Sequence, residues 1–226
     1  MLKSLYPDVD WDVVRVVGFD MDGTLYDEAD FIVQVYRPIA RILSAVTGAD
    51  ERRMHLRLFR RWLEKGSSYS RIFEEALAAE GVSGEPAAAA VSECLDVFRS
   101  FSPALSLPPR VEAILECVCE AYPVFLISDG SAGLQRRKFD SLELHRWFAD
   151  ANIAISGSRG EGFSKPATRM LREIQALATP LSAGEVVFFG DREVDAQFAA
   201  NAGFQFVEVK CMHPLGNGAR GSSSLR

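Results

Sequence analysis

Ten consecutive residues constrain this chain more than any others: Val16-Val17-Gly18-Phe19-Asp20-Met21-Asp22-Gly23-Thr24-Leu25. An apolar run stops at two carboxylates, and a glycine follows. The run from Val13 to Phe19 is rich in β-branched residues and too short for an independent helix. A stretch apolar on both faces suits a central parallel strand covered on each side. In such sheets ligands sit beyond the carboxyl ends of the strands, which is where Asp20 and Asp22 fall. Period-two geometry sends both side chains to one side of the strand end. Two ionised carboxylates held that close repel, so a cation or a shared proton must relieve them. Mg2+ is the natural candidate, because it takes oxygen ligands and often holds a phosphate as well. Taken alone, the motif also fits a solvated Asp-x-Asp-Gly turn, so the rest of the chain decides.

Between residues 28 and 102 the pattern is helical, with no good strand. Phe31, Val35, Ile39, Ile42, Leu43 and Val46 mark one apolar face. Pro38 is expected to interrupt or kink that helix, and Gly48 to stop it. Asp50 fits as the cap of a second helix, in which Leu56, Phe59 and Leu63 share a side. Residues 70–80 read as a third helix, and Pro86 opens a fourth. From residue 110 onward helices and strands alternate. Strands are expected over 122–127, 152–155, 186–189 and 204–209, with helices over 110–120, 132–142, 166–177 and 193–201. Such alternation gives a parallel sheet with right-handed crossovers. The expected fold is therefore α/β: a Rossmann-like parallel sheet core from 1–27 and 103–226, with an all-helical cap inserted over 28–102. The Gly- and Ser-rich stretch 216–226 is expected to be mobile.

Composition narrows the function classes. The net charge of −6 gives no support for binding nucleic acid or an anionic membrane. No apolar run approaches the ~20 residues of a spanning helix, and the first residues lack a long apolar signal region. The expectation is a cytoplasmic protein with a small-molecule partner; its oligomeric state is open. Cys94, Cys117, Cys119 and Cys211 lack zinc-clamp spacing and read as free thiols. His55, His145 and His213 lack metal-ligand spacing.

Four polar positions fall at strand ends or helix starts: Asp20/Asp22, Ser128, Lys165 and Asp191/Asp195. The pieces Asp20-Met21-Asp22-Gly23-Thr24-Leu25, Ser128-Asp129-Gly130, Ser164-Lys165-Pro166 and Gly190-Asp191-Arg192-Glu193-Val194-Asp195 occur in this order. In that order and context the chain resembles the haloacid dehalogenase-like (HAD) superfamily of phosphohydrolases, over residues 13–209. The resemblance implies a Mg2+-dependent phosphatase working through an aspartyl-phosphate, with Asp20 as nucleophile. Asp22 would be the acid that protonates the leaving oxygen and then the base that activates water, with a pKa above that of a solvated aspartate. The family usually gives the metal the backbone carbonyl of this second residue; a metal-binding role alone is the plainer reading of Asp22. Asp20, Asp22 and Asp191 are the expected metal residues. Asp195, at i, i+4 from Asp191, is either support behind the metal or a charge stabilising its helix dipole. Asp191 also fits an N-cap.

Thr24, Ser128, the N–H groups of Asp129 and Gly130, and Lys165 are the expected phosphate-binding groups. A lone Ser128 also fits an N-cap, and a lone Lys165 an exposed surface lysine. Pro166 would open a helix that aims Lys165 back at the strand ends. Two positions depart from the family pattern. Asp129 stands where Asn is frequent, an added negative charge that must point away from a phosphate. Arg192 follows Asp191 where a small polar residue is common. The retained Asp22 argues against haloalkanoate dehalogenation, which the resemblance implies needs no second acid. A phosphomutase and a catalytically idle binding module are the alternative functions.

The inserted helices correspond to a C1-type cap, expected to exclude water and to favour small substrates such as a sugar phosphate or nucleotide. Hinges are expected at 26–30 and 105–108. The arginine run Arg52, Arg53, Arg57, Arg60 and Arg61 reads either as a solvated face or as a grip on a second anionic group.

Overall fold

The computed structural model describes residues 1–214 except Glu161, Pro180 and Ala183; the stretch 216–226 lies outside the described residues. The described chain forms two compact units. One comprises Met1–Glu28 with the described residues from Ser106 on; the other is Ala29–Leu105. Among the described residues no helix is long and apolar enough to cross a membrane.

In chain order the elements are α1 (Leu2–Leu5), β1 (Val16–Phe19), α2 (Glu28–Thr47), α3 (Glu51–Lys65), α4 (Ile72–Ala78), α5 (Gly84–Ser100), α6 (Pro109–Ala121), β2 (Val124–Ser128), α7 (Ala132–Ser141), β3 (Ile153–Ile155), β4 (Val186–Gly190), α8 (Glu193–Ala202), β5 (Gln205–Lys210) and β6 (His213–Pro214). The sheet order is β3-β2-β1-β4-β5-β6. The first five strands are parallel, and β6 runs antiparallel to β5. Parallel pairing brings the ends of β1, β2 and β4 to one edge, the place expected for ligands. β1 is central, with Phe19 beside Leu126 on one side and Phe189 on the other. Every residue of β1, β2 and β4 is buried, as their unbroken apolar runs require. Phe125, Phe188 and Phe198 pack together in this core, each worth roughly 1.5–3 kcal/mol of burial.

β1 begins at Val16 rather than Val13, because its pairing with β4 starts there; Val13 is 40% exposed. The loop after β1 is tied down from the β5–β6 turn. Cys211 N–H donates to Gly23 O at 2.9 Å and Met212 N–H to Thr24 O at 3.0 Å.

Gly18 fits because it has no side chain: a Cβ there would lie 2.2 Å from Phe125 Cζ. The ring is boxed in by the core, so Gly18→Ala is expected to cost about 1–3 kcal/mol. Chemical denaturation would read this as a lower midpoint at unchanged slope. An unchanged midpoint would contradict the packing described.

One expected element is absent. Residues 166–177 form two short 3-10 segments, Arg169–Glu173 and Gln175–Leu177, in place of an α-helix. Two tertiary demands compete with helix propensity. Ile174 is extended between the segments while its side chain and that of Met170 enter the core. The Ala176 N–H donates to Asn152 Oδ1 at 2.8 Å instead of continuing a helix. No α-helix therefore follows Pro166, and something else must aim Lys165.

The helical unit holds α2 to α5. Pro38 lies inside α2 and does not end it. Asp50 caps α3 by accepting from Arg53 N–H at 2.9 Å. The buried side of α3 is Met54 and Leu58, whereas Leu56 and Leu63 are 43% and 62% exposed. The apolar side read from Leu56, Phe59 and Leu63 is therefore corrected: the i, i+4 pair Met54/Leu58 faces inward. Two of the arginines are engaged within this unit. Arg57 pairs with Glu80, and Arg61 with Glu75 at 2.6 Å and Glu64 at 2.8 Å. Partly exposed pairs of this kind add about 0–1 kcal/mol each.

Candidate active site

Asp20 follows β1 directly and is 1% exposed. Its N–H donates to Phe189 O at 2.9 Å, which continues the pairing with β4 and fixes the backbone. Lys165 Nζ donates to Asp20 Oδ1 and to Asp195 Oδ1, both at 2.5 Å. Thr24 Oγ1 donates to Asp20 Oδ2 at 3.3 Å. Lys165 is itself buried, so it is no surface lysine. In place of the expected helix, its backbone is aimed by Asp129: the Lys165 N–H meets the two Asp129 carboxylate oxygens at 3.2 and 3.1 Å. The departure at Asp129 thereby acquires a job. Its charge points at the Lys165 backbone rather than toward a phosphate.

Gly23 has φ +78°, and a Cβ there would lie 2.1 Å from Asp191 Oδ2. Only glycine lets the first loop pass this close to the second. Asp191 follows β4, and α8 begins two residues later with Arg192 as its N-cap. Asp191 thus precedes the helix, and the shared helical face expected for Asp191 and Asp195 is not what unites them. Asp195 is fully buried in the first turn, where its Oδ2 accepts the Arg192 N–H at 3.1 Å. Its other oxygen holds Lys165, so it both caps the helix and orients the lysine. Arg192 Nε lies 3.7 Å from Asp191 Oδ1 and 3.9 Å from Asp195 Oδ2, beyond hydrogen-bond length.

Oxygen atoms of Asp20, Asp191 and Asp195 lie within 4.8 Å of one another. Asp195 has both oxygens engaged, whereas buried Asp191 Oδ1 has no hydrogen-bond partner among the described residues. An orphaned carboxylate oxygen beside a second carboxylate suits a hard divalent cation. The residues therefore fit a metal on Asp20 and Asp191, with Asp195 behind Lys165.

Burial pushes Asp20 up to about 7, although Lys165 pulls it back. Burial, with the charge of Asp20 beside it, pushes Asp191 up to about 8. Burial alone would lower Lys165, but the carboxylates of Asp20, Asp195 and Asp129 hold it above its ordinary value.

These shifts set a sign. Between the ordinary carboxylate value of 3.8 and about 7–8, the folded metal-free protein keeps protons that the unfolded chain has released. Metal-free stability should therefore fall as pH rises through that window. A metal that binds the ionised carboxylates recovers the loss. The gain in Tm on adding Mg2+ is expected to grow from pH 6 to pH 8.5. An equal gain at both values would contradict this assignment of the shifts.

Asp22 departs from expectation. Lys138 Nζ lies 2.6 Å from its Oδ1, Gln135 Nε2 donates to its Oδ2 at 2.6 Å, and the Tyr26 hydroxyl donates to Oδ1. Burial would raise its pKa, but Lys138 and the two hydrogen bonds win and hold it below the ordinary carboxylate range. The raised value expected for a loaded acid is thus corrected.

Ser128 ends β2 and is not an N-cap, since α7 is preceded by Ser131. Its Oγ accepts from Gln135 Nε2 at 2.6 Å, which leaves its own proton to donate. The Gly130 N–H, expected to face a phosphate, donates to Ser156 Oγ at 3.3 Å. Gly157 permits that approach, because a Cβ there would lie 2.0 Å from Gly130 O.

Gln135 and Lys138 were not legible as site residues from motifs. A signal existed: they lie with Leu134 and Phe139 on the buried face of α7, where apolar residues are the norm.

The family model for haloacid dehalogenase-like hydrolases matches residues 14–203. The chain belongs to that family. None of the curated proteins matches its sequence. Among solved structures, a HAD-superfamily hydrolase of subfamily IA from Geobacter sulfurreducens has a TM-score of 0.65 at 18% identity, covering 87% of each chain. A protein provisionally named β-phosphoglucomutase from Thermotoga maritima has a TM-score of 0.61 at 21% identity, covering 91% of this chain and 89% of that one. A 2-haloacid dehalogenase from Pseudomonas syringae has a TM-score of 0.53 at 21% identity, covering 92% and 91%. At these identities the likeness establishes the HAD fold, and the differing names leave the chemistry to be argued from the site.

Proposed function

We propose that this HAD-family hydrolase is a Mg2+-dependent phosphatase that acts on a small phosphorylated metabolite through an aspartyl-phosphate on Asp20. The observation that carries this reading is the environment of Asp20: a buried carboxylate at the end of the central strand, held by Lys165 on one oxygen and Thr24 on the other. A nucleophile so fixed needs no reorganisation to attack phosphorus.

In the first step an oxygen of Asp20 bonds to phosphorus. The bond to the ester oxygen breaks, and that oxygen leaves with the electron pair and takes up a proton from solvent water. In the second step water bonds to phosphorus, the bond to Asp20 breaks, and Asp22 accepts the proton of the water. The ionised Asp22 favoured by Lys138 is ready for the second step. Lys165 and the free proton of Ser128 offset the charge on the phosphoryl oxygens. Asp20 and Asp191 would hold the metal with, as in the family, the backbone carbonyl of Asp22. When bound, the metal supplies further charge compensation. The preference for a small substrate rests on the helical unit, inserted just after the loop that carries Asp20 and Asp22.

A panel of sugar phosphates and nucleotides, assayed for phosphate release with Mg2+ and with EDTA, tests the reading. Release that EDTA abolishes is expected for at least one compound. Isomerisation of a sugar phosphate without phosphate release would replace hydrolysis by a mutase.

A further inference from the structure

The inward face of α7 carries two polar side chains that lie in none of the four sequence motifs. Lys138 is 3% exposed and Gln135 is 2% exposed. Burying an ammonium and an amide is costly unless each finds partners. Both find them at the site. Lys138 Nζ holds Asp22 Oδ1 at 2.6 Å. Gln135 Nε2 reaches three oxygens: Asp22 Oδ2 at 2.6 Å, Ser128 Oγ at 2.6 Å and Asp129 O at 3.0 Å. Buried Tyr26 closes the far side of Asp22 with its hydroxyl. Asp22 comes from the loop after β1 and Ser128 from the end of β2, so neither fixes the other directly. A single amide nitrogen on α7 touches both.

We infer that Lys138 and Gln135 are positioning residues: α7 sets the Asp22 carboxylate and the Ser128 hydroxyl in one fixed register, Lys138 through Asp22 and Gln135 through both. This rests on the phosphatase reading. The two residues predict different kinetics, because they hold different groups. Lys138 touches the group that moves protons, so its loss should act on kcat. Gln135 also orients the hydroxyl assigned to the phosphoryl group, so its loss should act on KM as well. A merely structural role would lower the amount of active enzyme and leave no such split.

The experiment is steady-state kinetics with p-nitrophenyl phosphate and Mg2+ on the full chain, for wild type, Lys138→Met, Gln135→Leu, Asp22→Asn and Lys138→Met/Asp22→Asn. Lys138→Met is expected to lower kcat by about 10–100-fold with KM held within about threefold. Gln135→Leu is expected to raise KM and lower kcat together. In the Asp22→Asn background, Lys138→Met should cost less than about threefold, because the proton-moving carboxylate that Lys138 orients is already gone. A kcat for Lys138→Met within about threefold of wild type would overturn the inference, and so would equal losses in both backgrounds. If Lys138→Met fails to fold, Gln135→Leu, which adds no charge, decides alone: unchanged KM and kcat would overturn the inference. Wild-type enzyme inactive on every phosphate ester would instead remove the phosphatase reading beneath it.

Discussion

Replacing Asp20 by asparagine is expected to cut phosphate release by about 10^4-fold or more, with the fold intact. In the proposed reaction the Asp20 carboxylate is the group that bonds to phosphorus, and an amide cannot take its place. The stability effect runs the other way. Asp20 is buried and pushed up to about 7, so in metal-free protein at pH 8 it is an ionised group in a dry place. Asparagine removes that charge, while Lys165 keeps its contact with Asp195. Metal-free Tm at pH 8 should therefore be unchanged or raised in Asp20→Asn, and the gain on adding Mg2+ should shrink. Activity lost together with a large fall in Tm would mean that Asp20 serves the fold rather than the reaction.

Lys165→Met should damage both properties. Its ammonium bonds Asp20 and Asp195, which are 1% and 0% exposed. Removing one partner of a buried ion pair costs about 3–5 kcal/mol, since a carboxylate is left uncompensated. For a chain of this size that is a fall of roughly 6–20 °C in Tm. Asp191 adds a third carboxylate to the same cluster, which sharpens the imbalance. Loss of a cation aimed at the phosphoryl oxygens should lower kcat by about 10^2–10^3-fold as well. Mg2+ should return part of the stability, because it supplies the missing positive charge, and little of the activity. A variant with unchanged Tm would contradict the ion-pair geometry described.

The contrast between these two variants follows from how a site is built on a strand edge. Asp20 stores charge that the fold would shed, and Lys165 holds it in place. The same division explains what the sequence made legible. Asp20, Ser128 and Asp191 follow or end unbroken apolar runs, and such runs are read directly as buried parallel strands. Lys165 is legible only by its place between those strands, and what aims it is not. Pro166 predicts a helix that would aim it. In the structure the Asp129 carboxylate grips the Lys165 backbone instead, and Ile174 and Asn152 prevent the helix from forming. Both effects are long-range, so no local pattern announces them.

Asp22 teaches the same point about charge. A carboxylate near other carboxylates is expected to have a raised pKa, and Asp20 and Asp191 behave so. Asp22 does not, because α7 places Lys138 against it from 116 positions away. Lys138 lies with Leu134 and Phe139 on the buried side of α7, and a lysine beside apolar helical positions reads most simply as a snorkelling side chain. In α3 the error was of a different kind: Leu56 and Leu63 share a side and are exposed, and only the packing partners select Met54 and Leu58.

The most direct test of the central claim, covalent catalysis by Asp20, is the stereochemical course at phosphorus. The measurement uses an aryl phosphate made chiral with oxygen isotopes as the phosphoryl donor and an alcohol as the acceptor, with Mg2+ present. Two successive in-line displacements, on to Asp20 and off it, predict net retention of configuration. Net inversion would mean that the acceptor attacks phosphorus directly, and Asp20 would then be a metal ligand and nothing more.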